Sequence, residues 1–415
     1  MSLAAVVRNI KYCQTKEDLH NVFWKAFLGK KCEPCASLKI LILNAPCNGF
    51  GDLIFAWKLS NFLKKWYKCS VIIATPLAAG LRKLGADEKT ILPLVNRDDT
   101  TKRSQCRLFA RFKLAQPLET QDVILVGPIT TDMERNFADV KKLIPYSNLV
   151  NTFFFSEYND DLDKKLDFNT GVGANYDGIF ITTPTINKNR LEKLPHPYAV
   201  IYVADIDGVY LCVARFIEML LKKYSYNHFE VILPVWFKPK KSLINKIGRF
   251  YGTIKIINSK GSRIVKNDND KTFVFRQDIF PVSNEVMLNI MKHSVDDMLL
   301  TGDQSISDGL SCCPEKNIFY QIASWKTEFG KKMARLLPNK YFRSRQTSCG
   351  VIEAVNYHPD HGRFISQWNF ETRSKQKLDA ILHSVWAINN DNSYKHLAQL
   401  ISSSKTLQQI KNDVS

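Results

Sequence analysis

The amino-acid sequence predicts an α/β protein of two domains, each a parallel β-sheet covered by helices. Three observations lead there. The chain has 415 residues, beyond the length of about 250–300 residues at which a single core stops growing. Its apolar fraction of 45% and aromatic fraction of 11% belong to a chain that folds. Apolar runs of strand length alternate with stretches of helical period in two successive series, and a polar, proline-bearing break separates them.

Taken in order, residues 1–36 read as an N-terminal helical extension, with Thr15 and Asp18 spaced as a cap and its partner ahead of Leu19, Val22, Phe23 and Phe27. At Leu38 the period changes. LKILILN is a continuous apolar strand, APCNGFG a glycine-bearing loop, and DLIFAWKLSNFLKKWY a helix with Leu53, Ala56, Leu59, Leu63 and Trp66 on one face. CSVIIATP is the next buried strand, so residues 38–76 form a βαβ unit of Rossmann-like type. LAAGLRKLGA reads as a helix, and DVILVGP, Val150–Phe155 and Gly178–Thr182 as strands. Segment 94–118 is basic and unpatterned, a variable loop or short helix.

The break NKNRLEKLPHP places a boundary near 190, giving a first domain of residues 37–190 and a second of 191–335. In the second, YAVIYVAD, FEVILP, TIKIIN, TFVFRQD, DDMLLTG and NIFYQI read as strands, with VARFIEMLLKKY, SLINKIGRFY, NEVMLNIMKH and SISDGLSC as helices. Residues 336–415 end in two helical periods, LDAILHSVWAI and YKHLAQLISS, expected to pack back across the domains.

Composition narrows the function classes. No apolar run approaches the roughly 20 residues that cross a bilayer, and the N-terminus turns charged too early for a secretory signal, so a soluble, cytoplasmic protein without a transmembrane segment is expected. The ten cysteines are scattered, which suits reduced thiols. Cys32 and Cys35 have half of a zinc spacing, and His358, Asp360 and His361 lack a third ligand; neither set makes a metal site, and none is expected. Lys and Arg exceed Asp and Glu by 58 − 40 = 18, which favours polyanions near the surface, although a solvated Lys-rich surface explains the same excess.

Segment HSVDDMLLTGDQSISDGLSC resembles the donor-site element of GT-B glycosyltransferases, where an apolar strand ends in glycine and small polar residues before a helix. Its positions here are Thr301, Gly302, Asp303, Gln304 and Ser305, with Ser307 and Asp308 in the first turn of the following helix. Glycine admits a close backbone approach, and free N–H groups at a helix start bind phosphate. TFVFRQDIFP is similar to the family's base-holding strand and loop, with Arg276, Gln277 and Asp278 as its polar members. Asn48, Gly49, Phe50, Gly51 and Asp52 stand where the family places its N-domain cleft loop, and NGFGDLIFAWKLSNFLKKW is similar to the opening of protein-arginine rhamnosyltransferases and, less closely, heptosyltransferases. The chain has no His-Cys-Gly element, no Glu-x7-Glu pair and no plant-type signature.

The resemblance covers residues 38–335 and implies two Rossmann-like domains facing across a cleft. It also implies transfer of a sugar from a nucleotide-sugar donor, a substrate rather than a cofactor, to a protein, glycan or lipid acceptor, with inversion and without a metal. Asp52 is then the base, a role that competes with helix capping. Asp303 and Ser305 are ligands or turn residues, and Arg276 neutralises diphosphate or faces solvent. Two alternatives stand beside this reading: a basic nucleic-acid-associated or scaffold protein of the same fold, and a nucleotide-sugar epimerase.

Overall fold

The computed structural model describes residues 3–25, 35–46, 51–97, 109–129, 133–148, 150–158, 166–182, 194–268, 271–323, 326–336, 353–355, 366–403 and 406–414. The chain divides into two compact units, Met1–Phe180 with Trp368–Ser415, and Ile181–Gln367.

Unit 1 opens with α1 (Leu3–Ile10) and α2 (Lys16–Lys25). The cap read from the sequence forms reciprocally: the Asp18 N–H donates to Thr15 Oγ1 at 3.0 Å and the Thr15 N–H to Asp18 Oδ2 at 2.8 Å. There follow β1 (Lys39–Leu43), α3 (Gly51–Tyr67), β2 (Ser70–Thr75), α4 (Ala78–Lys83), β3 (Ile91–Asn96), β4 (Phe112–Leu114), β5 (Val123–Ile129), α5 (Met133–Leu143) and β6 (Thr152–Ser156). The sheet order is β4-β3-β2-β1-β5-β6. Every pair is parallel except β3 with β4. Buried Leu, Ile and Val on β1 and β5 fill the core, as continuous apolar strands covered on both faces should.

Unit 2 runs β7 (Tyr198–Val200), α6 (Val209–Lys223), β8 (His228–Ile232), α7 (Lys241–Ile247), β9 (Thr253–Asn258), β10 (Gly261–Asn267), β11 (Thr272–Arg276), α8 (Asn284–His293), β12 (Asp297–Thr301), α9 (Asp303–Cys312), β13 (Asn317–Gln321), α10 (Thr327–Leu336) and β14 (Glu353–Val355). Its strands are ordered β10-β9-β11-β8-β7 and β12-β13-β14. One parallel bridge, Ile201 to Leu299, joins the two sets, with the Tyr202 N–H donating to the Leu299 carbonyl at 2.7 Å. Ala199, Ile201, Phe229, Val231, Phe273 and Phe275 pack one face against α6.

The chain returns to unit 1 as α11 (Phe370–Asn390), α12 (Asn392–Ser402) and α13 (Leu407–Val414). Val6, Ile10, Leu19 and Phe23 bury with Leu397, Ala398, Ile401 and Ile410, so the N-terminal extension and the last helices share one apolar cluster.

Several expectations change. The crossover lies at 180/181 rather than 190, because Ile179 is bridged to Asn369 within unit 1 while the Thr182 hydroxyl already bonds Asp308 in unit 2. Gly178–Thr182 makes isolated bridges and no strand: a Cβ at Gly178 would lie 2.7 Å from the Trp368 carbonyl oxygen, so two backbones cross there too closely for a pleated pair to extend. Trp66 is 46% exposed, its indole N–H reaching Glu371 at 3.0 Å, so it caps the core stripe of α3 from outside. The segment 94–118 supplies the end of β3 and the antiparallel edge strand β4; residues 98–108 lie outside the described residues. Cys13, Cys69, Cys212, Cys312 and Cys313 are free thiols, and burial pushes Cys313 up to about 12.

Candidate functional site

In a doubly wound sheet the chain starts at a central strand, builds to one side, then returns to build on the other. The reversal leaves a crevice at the carboxyl ends of the two strands that flank it. Each unit has one such point.

In unit 1 it lies between β1 and β5. Asn44, fully buried at the end of β1, donates from Nδ2 to the carbonyls of Asp52 at 2.9 Å and Gly127 at 3.1 Å, and its Oδ1 accepts from Thr75 Oγ1 at 3.3 Å. One amide thus fixes the start of α3 to the ends of β2 and β5. Gly127 is glycine for lack of room, since a Cβ would sit 2.8 Å from Phe155 Cβ. Asp52 is half-buried in the first turn of α3, inside the helix rather than at its cap. Gly51 has open space beside it. Asn48, Gly49 and Phe50 lie outside the described residues, as do Cys32 and the His358, Asp360, His361 group.

In unit 2 the reversal falls between β7 and β12. Gly302 has φ 81° and ψ 150°, a conformation essentially reserved for glycine, and nothing lies within 4 Å of where its Cβ would be. It brings no side chain to cap α9. The first turn of α9 therefore begins at the switch point without a side-chain cap, and helix N-termini of that kind bind anions. Thr301 donates to the Gln321 carbonyl at 3.1 Å, and the Gln321 amide pairs with Ala204 through both its oxygen, 2.9 Å, and its nitrogen, 3.3 Å. These bonds tie β12, β13 and the loop after β7 together below the crevice.

Asp303 is paired with Lys326 at 2.7 Å, and Ser305 is half-buried on the first turn of α9. Gln304 and Asp308 turn inward. Asp308, 5% exposed, accepts from Gln304 Nε2 at 2.8 Å, from Asn284 Nδ2 at 3.1 Å and from the Thr182 hydroxyl. Its carboxylate therefore fastens the chain entering unit 2 and α8 onto α9.

Arg276 lies along the sheet, not off its end. It pairs bidentately with Asp278, both bonds 2.9 Å, and with Glu230 at 2.9 Å, and these carboxylates raise its pKa further, Asp278 most. Three of its five N–H donors are thereby engaged. Gln277 is buried and donates to the Phe237 carbonyl. It also lines a concavity of about 570 Å³ with Phe237, Asn258, Lys238, Lys260 and Arg263, none of whose lining residues is acidic.

Sequence reading assigned no role to Lys326, Gln321, Asn44 or the loop ADIDG at 204–208. The last had a signal. It follows a strand and ends in Gly208, φ 79°, at the start of α6, the same strand, glycine, helix order as at Gly302.

Fold and site together define a two-unit α/β protein whose Rossmann-like parallel sheets each end in a switch-point crevice. No family model and no curated protein matches the sequence. Among solved structures, the chain is similar to MurG from Acinetobacter baumannii at 10% identity and a TM-score of 0.39, covering 88% of this chain and 99% of that one. It is also similar to an alpha-glucosyltransferase in complex with UDP and a 13-mer DNA containing a HMU base, at 12% identity and 0.36, covering 88% and 100%. A Listeria monocytogenes protein described as a UDP-N-acetylglucosamine 2-epimerase follows at 9% identity and 0.36, covering 86% and 97%. Among the described residues no helix is long and apolar enough to cross a membrane.

Proposed function

We propose that the chain is a glycosyltransferase of the GT-B type that binds a nucleotide sugar at the β12–α9 turn. The observation that carries this reading is the N-terminus of α9, which has no side-chain cap and starts at Gly302, with open space where a Gly302 side chain would be, at the switch point of unit 2. A diphosphate held there meets the N–H groups of the first turn and, alongside them, the ammonium of Lys326 on the Asp303 carboxylate. Those groups neutralise the leaving group as the glycosidic bond to phosphate breaks, so the reading needs no metal. Gln277 and Asp278, on the loop after β11, stand on the side from which the base approaches in this reading.

Asp52 is the base. It takes the proton from an acceptor nucleophile as that atom bonds the anomeric carbon from the face opposite the leaving diphosphate, which inverts the configuration. The acceptor is a protein side chain, glycan or lipid.

The test is the thermal midpoint of the protein against UDP, GDP, ADP and dTDP and their sugars, because a ligand that binds only the folded state stabilises it by about 2.7 kcal/mol at a hundredfold excess over Kd. A rise with one nucleotide, lost in Lys326→Ala and Asp303→Ala variants whose ligand-free midpoints are kept, supports the site. No rise with any nucleotide sinks it. Asp52→Asn should keep the nucleotide shift and lose transfer by roughly 10²–10⁴-fold. Donor turnover without an acceptor marks an epimerase instead.

A second reading rests on the basic concavity of Lys238, Lys260 and Arg263. If the protein is a polyanion-binding relative of the fold, affinity for a single-stranded oligonucleotide will fall steeply with salt, and Lys260→Ala with Arg263→Ala will flatten that slope.

A further inference from the structure

We infer that the amino-terminal edge of the unit 2 sheet carries a site for a divalent transition metal ion, formed by His196, His228 and Glu230. Their ligand atoms lie within 4.8 Å of one another, and among the described residues no other group of His, Cys, Asp and Glu side chains is so placed. Backbone geometry assembles the set. His228 opens β8 and Glu230 follows two residues on, so the period of a strand puts both on one face. The parallel register sets Tyr198 beside Glu230, which brings His196, two residues earlier, level with His228.

Two of the three donors are already at coordination spacing. His228 Nε2 is 3.1 Å from Glu230 Oε1, against the roughly 3.3 Å that separates donors around a tetrahedral ion with bonds of about 2.0–2.1 Å. The His196 ring stacks on His228 with centroids 3.5 Å apart and planes 16° from parallel. Stacked rings hold their in-plane lone pairs in nearly parallel planes, so metal binding turns His196 about its side-chain bonds. It is half-buried and precedes β7, which leaves that rotation open.

Charge favours a cation. The other Glu230 oxygen is 2.9 Å from Arg276, which also pairs with Asp278. One guanidinium against two carboxylates leaves one negative charge, in a cluster where Glu230 is 3% exposed. Lys255, on β9 beyond the intervening strand β11, opposes this by repulsion and cannot itself ligate. Two imidazoles and one carboxylate suit Zn²⁺, Co²⁺ or Ni²⁺ and disfavour Mg²⁺ and Ca²⁺, which take oxygen ligands. Bound there, the ion pins the chain entering unit 2 to its second strand.

The experiment is titration of the metal-free full chain with Co²⁺, read by its visible d–d absorption, with Zn²⁺ as competitor. The expected result is one ion per chain, a higher thermal midpoint with Zn²⁺, and affinity reduced about tenfold or more in His196→Ala and in His228→Ala. A His358→Ala, His361→Ala double variant should bind as the parent does. His196→Ala alters a half-buried residue ahead of the strand, and its metal-free midpoint checks the fold, so it decides the matter if His228→Ala misfolds. No Co²⁺ band, binding undiminished in His196→Ala, or binding lost in the double variant would each overturn the site.

Discussion

Asp308 separates a ligand role from a structural one. The resemblance of its segment to a donor-site element implies a ligand role, whereas its carboxylate faces Gln304, Asn284 and Thr182. Asp308→Ala leaves three donors without that acceptor. A buried donor left unsatisfied costs about 1–3 kcal/mol. Gln304 is 5% exposed and bears the full cost, while Asn284 and Thr182 are half-buried and recover part of theirs from water. The sum is about 3 kcal/mol, or a fall in thermal midpoint of roughly 6–12 °C for a unit of this size. Asp308→Asn keeps one acceptor and turns an NH₂ toward other donors, so it should recover little of the loss. Urea unfolding of parent and variants measures the stability, and nucleotide-induced thermal shift measures the ligand role. If Asp308→Ala unfolds within about 0.5 kcal/mol of the parent and loses the nucleotide shift, the carboxylate serves a ligand and the reasoning fails.

Three further outcomes are expected. Asn44→Ala should cost about 2 kcal/mol by removing the bonds to the Asp52 and Gly127 carbonyls and the acceptor of the Thr75 hydroxyl, and Asn44→Asp more, because a carboxylate would then face the carbonyls; urea denaturation ranks the two. Gly178→Ala forces a Cβ to 2.7 Å from the Trp368 oxygen at φ 93°, whereas Gly302→Ala meets strain without a clash, so the first should cost over about 3 kcal/mol and the second about 1–2 kcal/mol; limited proteolysis near residue 368 should accelerate only in the first. The Asp167 carboxyl is enclosed by protein although the residue as a whole is half-exposed, and burial raises it to about 7 against the Phe154 N–H bond of 2.8 Å and the charge of Lys377. Between the unfolded value near 4 and about 7 the folded chain therefore binds more protons than the unfolded one, so stability falls as pH rises through that window and is level above it, by at most about 4 kcal/mol. Stability curves of Asp167→Asn should be flatter there and higher at pH 8 (roughly a unit above the window); an unchanged slope would remove Asp167 from the account.

Legibility followed burial. LKILILN and DVILVGP declare themselves because strands covered on both faces are apolar throughout, and the Thr15, Asp18 cap because both partners are local. β3 is hard to read because Pro93 sits within it, a residue that demotes a run to an edge; here Pro93 is mid-strand, the last residue of β3 paired with β2, opposite Thr75, and its carbonyl accepts from Ala115. β10, GSRIVKN, is exposed along nearly its whole length and so carries no alternation to read. At the candidate site, Gly302 and Asp303 were legible as strand, glycine, helix. The inward turn of Asp308 was not, because Thr182 and Asn284 reach it from far along the chain, and neither was the pairing of Asp303 with Lys326, which a strand and a turn separate in sequence.

The crossing of backbones at Gly178 and Trp368 also governs how the protein can be made. Unit 2 is spliced into unit 1 through two connections that touch, so the ribosome must finish 181–367 before the segment that completes unit 1 emerges. At about 5–20 residues per second, that is a wait of roughly 10–40 s during which Val6, Phe23 and the other apolar faces of α1 and α2 lack the helices that later cover them. The nascent chain thus carries an exposed oily surface until Leu397, Ile401 and Ile410 appear, and its dependence on chaperones should exceed that of a protein whose two halves follow one another in sequence.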